Sequence, residues 1–218
     1  MTGRMEETDL KKSKKIKNYF THYELAMGLS AVALIYGVID WWYGLTDVWF
    51  VTGTLGIVLG IGGIILFDTL RVKTDEFDRY VRDRIDRARG AGLFEAEDTF
   101  LAYVVEDATY KRVGGDGKLR TERCQETRLR VERERIRMET YALDVLTEQI
   151  RCVAMELPTA GAKATAQTEE VNGGKQVFRQ TYLTVSAADG RSHRFPVPTN
   201  SMDVDQLMER INRQSQRA

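Results

Sequence analysis

His22, His193, Cys124 and Cys152 are the only histidines and cysteines in a chain of 218 residues. They are the side chains best suited to hold a soft metal or to act as base or nucleophile near neutral pH. None stands at metal-ligand spacing from another. His22 borders an apolar run, His193 lies in "RSHRF" beside a hairpin turn, and two distant cysteines make neither a zinc motif nor a framework of bridges. Reduced thiols in a cytosolic compartment are the expectation. Carboxylates abound but always amid arginines, a pattern that suits exposed ion pairing better than acid–base catalysis. "GGDGKL" has the glycine and lysine of a phosphate loop, yet Arg112 stands where the first glycine belongs and Leu119 where a serine or threonine must follow. It reads as a hairpin turn. No serine or cysteine sits in a nucleophile elbow. No catalytic residue, cofactor or metal is therefore expected, and the chain reads as non-enzymatic.

Glycine spacing carries more information. In "FVTGTLGIVLGIGGIILF", residues 50–67, Gly53, Gly56, Gly60 and Gly63 recur every three or four positions without one charged neighbour, which stacks them on one helical face. A membrane-crossing helix needs about 20 mostly apolar residues. Val48 to Phe67 supplies them in one run, and "LAMGLSAVALIYGVIDWWYG", Leu25 to Gly44, supplies a second with only Asp40 charged. The few residues around "YGLTD" allow only a tight turn, so the spans (about 25–43 and 48–67) form a helical hairpin over residues 25–67. Ala26, Ser30, Ala33 and Gly37 make a small-residue face on the first span. The two small faces can pack on each other within one hairpin or drive oligomerisation. Tethering favours the first, and both stay open. Asp40 lies near the tip, where an interfacial aspartate is the simpler reading than a functional intramembrane acid.

Flanking residues orient the pair. Trp41, Trp42, Tyr43, Trp49 and Phe50 cluster at the turn, as interfacial aromatics do. Lys11, Lys12, Lys14, Lys15 and Lys17 in the leader (1–24), with Arg71 and Lys73 after the second span, put basic charge at the opposite end. Both termini are then cytoplasmic in a multi-pass protein of the cytoplasmic (inner) membrane. A signal peptide is disfavoured, because no small-x-small cleavage site follows the first apolar run and a second span comes at once. Lipid recognition by the lysines is weaker than simple topogenic charge as an explanation.

The remainder is polar. Lysine plus arginine equal aspartate plus glutamate at 32 each, and the charge is interleaved, so no nucleic-acid partner is expected. "DTLRVKTDEFDRYVRDRIDRARGAG" sets Leu70, Phe77, Tyr80 or Val81, and Ile85 at helical spacing, giving a juxtamembrane helix within 68–90 that ends near Gly90. From Thr99 the pattern is short β-rich stretches divided by "GGDG", "NGG" and "ADG", with Asp189-Gly190 a strong hairpin signal. Residues 120–150 alternate as Leu129/Val131, Ile136/Met138 and Leu143/Val145, which favours strands. Leu129, Ile136, Leu143 and Ile150 are also seven apart, which leaves a long helix open. The chain closes with a helix whose apolar stripe is Val204, Leu207, Met208 and Ile211, capped by Asn200 or Ser201.

The order "FLAYVV", "RLRVERERIRMETYALDVLTEQIRCVAMEL" with its apolar run through Ile150 and Val153, the hairpin "YLTVSAADGRSHRFPV" and a final helix resembles the bacterial pleckstrin-homology-like (bPH) domain over roughly residues 95–215. The resemblance implies an α+β chain: a two-helix transmembrane hairpin, a juxtamembrane helix, and a PH-like bent sheet or partial barrel closed by a C-terminal helix. The polar stretch "PTAGAKATAQTEEVNGGK", residues 158–175, departs from the family as an insert. The implied function is a membrane-anchored scaffold or accessory subunit, whose partners are the lipid bilayer and other subunits of a membrane complex or a second copy. A ligand-gated two-span effector that oligomerises and permeabilises the membrane is the alternative.

Overall fold

A computed structural model describes residues 13–21, 23–43, 47–90, 94–172, 177–199 and 202–217. The fold is α+β, with apolar helices first, antiparallel sheets next and one helix last. It divides into two units, Met1–Asp78 and Arg79–Ala218.

The first unit is built on α1 (Glu24–Tyr43) and α2 (Asp47–Leu70). Both are apolar on all sides, and both are long and apolar enough to cross a membrane. A helix satisfies its own backbone hydrogen bonds, which suits it to an environment without water. Hydroxyls are satisfied in the same way: Ser30 donates to the Ala26 carbonyl (3.0 Å) and Thr54 to that of Phe50 (2.8 Å). The chain breaks after Leu70 and restarts as α3 (Thr74–Arg89), so the expected juxtamembrane helix is separate from α2 and shorter than residues 68–90. Gly90 follows it at φ +57°, the left-handed conformation that glycine supplies at helix ends. Residues 13–17 are helical and run into a 3-10 turn, Asn18–Phe20. Tyr19 stacks on Phe77 at 4.2 Å between ring centroids and Phe20 meets Phe77 edge-on at 5.4 Å. Ile16 and Val72 are buried, and Lys15 pairs with Glu76 at 3.1 Å. The segments that enter and leave the hairpin are thereby clasped together.

In the second unit, β1 (Asp98–Tyr103), β4 (Arg123–Val131), β5 (Arg135–Asp144) and β6 (Gln149–Pro158) form a four-stranded antiparallel sheet in that order. β2 (Lys111–Val113) and β3 (Leu119–Thr121) form a side hairpin around "GGDGK", as the sequence predicts, with Gly117 at φ +75°. Arg120 closes it with two hydrogen bonds to Asp116, which hold that carboxyl down at about 2. β7 (Lys163–Asn172), β8 (Val177–Ser186) and β9 (Ser192–Val197) make a three-stranded antiparallel sheet. The Asp189-Gly190 turn joins β8 to β9, with Gly190 at φ +85°. The sheets do not close into a barrel.

Residues 120–150 are strands, so the seven-residue spacing there is coincidental and the helical alternative falls. Leu129, Val131, Ile136 and Met138 alternate into a single core with Phe100 of β1, Leu183 and Val185 of β8, and Phe195 of β9. α4 (Met202–Ser215) closes this core with Val204, Leu207 and Ile211, while Met208 packs at its margin. Residues 200 and 201, expected to cap α4, lie outside the described residues. The stretch read as a polar insert is corrected: Lys163–Asn172 pairs with β8 along its whole length, and Ala162 and Ala164 are core residues. Leu207 is fully buried, so Leu207→Ala is expected to cost ~2–5 kcal/mol, read as a lowered denaturation midpoint of the second unit in the detergent-solubilised chain.

Candidate functional site

The seam between α1 and α2 is where the small residues meet. A Cβ built on Gly37 would lie 2.5 Å from the Ile57 nitrogen and 2.7 Å from the Gly53 carbonyl oxygen. One on Gly53 would lie 2.6 Å from the Trp41 nitrogen, and one on Gly56 2.9 Å from the Gly37 Cα. One on Gly60 would strike Leu34 at 2.6 Å, and one on Gly63 the Ser30 hydroxyl at 2.3 Å. Partners run in reverse order along the helices, so α1 and α2 are antiparallel and in backbone contact. Of the predicted faces, Gly53, Gly56, Gly60, Gly63, Ser30, Ala33 and Gly37 thus meet within one hairpin. Ala26 is half-buried at the far end of α1. Gly28 and Gly62 have nothing within 4 Å of a built Cβ and lie on the outer surface.

Near the tip, Asp40 is buried and the Thr52 hydroxyl donates to its Oδ2 at 2.8 Å, so this acid bridges the two helices. Trp41, Trp42 and Tyr43 are exposed, with Trp41 paired to Phe50 at 6.2 Å. The Trp49 side chain, Lys11, Lys12 and His22 lie outside the described residues. Lys14 is exposed, whereas Lys15 is engaged by Glu76.

The four-stranded sheet has an inner face of two halves. The first is the apolar core already described. Past Thr127 of β4 and Thr140 of β5, which sit 3.3 Å apart, the same face turns polar. His193 of β9 closes the boundary, its Nε2 3.2 Å from the Thr140 hydroxyl, and burial lowers its pKa. Beyond it, Arg123, Gln125, Ala142, Asp144, Gln149 and Arg151 line an open cavity of about 300 Å³. Strand pairing sets Ala142 beside Gln125 and Arg151, and its short side chain leaves the space. The opposite face carries ion pairs: Glu132 and Glu156 hold Arg135 and Arg137, with Glu156 to Arg137 at 3.1 Å. Arg89 of α3 reaches Glu126 of β4. On that face too, burial and the Glu139 carboxylate push the Tyr141 phenol up to about 12.

Sequence reasoning found the small-residue faces, left their partner open and missed this cavity. Its only signal is the alternation of Arg123 and Gln125, and of Gln149 and Arg151, in register with a small residue on the strand between. Among the described residues no cluster of three metal-ligating side chains occurs. Comparison with protein families, curated proteins and solved structures returns no match for the chain.

Two measurements follow from the geometry. Gly56→Leu is expected to splay the hairpin, whereas Gly62→Leu, facing open space, is expected to leave it intact; equal resistance to denaturation in mixed micelles would refute the seam. His193 has a folded pKa below its ordinary value of 6.5, so its contribution is present above that pH and is lost as pH falls through the folded value. A melt of the second unit should weaken on acidification from pH 7 to 5, and His193→Gln should remove part of that slope.

Proposed function

We propose that the chain is a membrane-anchored, non-enzymatic scaffold or accessory subunit of a cytoplasmic-membrane protein complex, held by the α1–α2 hairpin and binding protein partners through its β-rich domain. The observation that carries the anchor is the exposure of the hairpin: only 11% of each apolar window is buried within the protein. A core helix of a water-soluble protein buries most of such a surface, and an uncovered patch this large demands a lipid or protein cover. The exposed rings at the tip and the basic residues at the other end agree with a cytoplasmic location for both termini.

A PH-like domain is supported by the order of elements, four antiparallel strands in one sheet, three in the next and a final helix on their common core. The β2–β3 hairpin is an excursion between the first two strands of the larger sheet. For binding, the domain offers sheet edges and the polar end of its inner face. The test is extraction of native membranes in mild detergent, isolation of the tagged full chain, and mass measurement of the complex. A stoichiometric foreign subunit is expected. A complex of this chain alone would contradict the accessory role and favour a gated two-span effector.

A further inference from the structure

β6 is an edge strand, and the register fixes which of its groups are free. The Thr159 amide donates to the Glu134 carbonyl at 3.0 Å, one step past the Arg135–Pro158 pair. Antiparallel ladders alternate bonded and non-bonded pairs. The amides of Arg151, Val153, Met155 and Leu157 therefore face β5, and those of Ile150, Cys152, Ala154 and Glu156 face outward. Two details agree: Pro158, which has no N–H to offer, falls in the outward set, and the outward carbonyl of Glu156 accepts from Arg191 Nη1 at 3.2 Å. That leaves Ile150, Cys152 and Ala154 as a run of main-chain groups with no partner among the described residues.

Proteins usually blunt such an edge with lysine, proline or a bulge. The outer edge of the other sheet, β7, carries Lys163, Glu169 and Glu170 and is tied to α4 by Asn212, which bonds both main-chain groups of Ala164. Over Gln149–Ala154, β6 carries a single charge, Arg151, pairs with β5 without a bulge, and leaves Val153 50% exposed. Arg151 lines the polar cavity with Arg123, and neither forms an ion pair among the described residues. Asp144, opposite Arg123 in the strand register and in the same lining, accepts from the amides of Leu146 and Thr147 through Oδ1 and forms no ion pair with either arginine among the described residues. The edge thus combines outward main-chain groups with a cavity that holds two arginines against one carboxylate and is net positive. A second copy is a poor occupant, because antiparallel self-pairing centred on Cys152 sets the two Arg151 side chains diagonally across the ladder, where like charges repel.

We propose that the Ile150–Ala154 edge of β6 takes an extended, acidic segment of a partner protein as an added strand, with a carboxylate of that segment seated between Arg151 and Arg123. The main chain would supply affinity and the arginines selectivity. This inference rests on the scaffold reading and names the surface that serves it.

The test uses the tagged full chain in its native membrane. Ala154→Pro removes an outward amide while sparing the β5–β6 bonds, and Arg151→Glu reverses the charge at an exposed position. Each is expected to reduce recovery of the stoichiometric partner about tenfold or more, with the thermal melt of the second unit retained. A photo-crosslinking benzoylphenylalanine in place of Val153 is expected to capture that partner through an acidic, extended peptide. Undiminished recovery with both variants would overturn the edge assignment and leave the scaffold reading standing, and a crosslink to β6 of a second copy would overturn the occupant. Recovery of no partner with the native chain would contradict the scaffold reading itself.

Discussion

The backbone contact of α1 with α2 is the constraint on which the hairpin depends. Apolar side chains gain nothing by leaving lipid for one another, so packing and polar bonds must hold helices together in a bilayer. Gly37, Gly53, Gly56 and Gly60 remove the side chains that would keep the axes apart, and the Asp40–Thr52 hydrogen bond adds a polar tie near the tip. Because the seam takes up most of the glycines, the surface left for the surroundings is dominated by large aliphatic and aromatic side chains. That division suits a lipid anchor. It also leaves the glycine faces occupied within the hairpin.

The domain repeats this logic in water. The inner face of the larger sheet is apolar as far as the second sheet and α4 cover it, and turns polar where cover ends, at Thr127, Thr140 and His193. Arg123 and Arg151 flank a cavity and make no ion pair among the described residues, while arginines on the opposite face pair with Glu132, Glu139 and Glu156.

Much of this was legible in the chain. Long uncharged runs, the Asp189-Gly190 turn, the "GGDGK" hairpin and the stripe of α4 are local signals, and each element appears where its pattern lies. β7 was not legible as a strand, because the core position it supplies is Ala164, with Ala162 just before it, and the rest of Lys163–Asn172 is mostly polar. The break between α2 and α3 hides in Arg71–Lys73, which contains neither glycine nor proline. Which strand of a sheet is left at the edge is a non-local outcome, so β6 could be drawn as a strand but not as an open one. The small faces of the spans were visible from spacing alone; that they face each other required the geometry.

The most direct test of the account is the sidedness of two thiols. Cys152 is the exposed native cysteine and Cys124 is buried, and Tyr43, at the end of α1, is exposed. In intact spheroplasts, a membrane-impermeant maleimide should label Tyr43→Cys in a Cys152→Ser background, and should label Cys152 of the native chain only after lysis. Labelling of both positions from the same side, or release of the protein from the membrane by alkaline carbonate, would contradict a hairpin that crosses the bilayer and holds the β-rich domain in the cytoplasm.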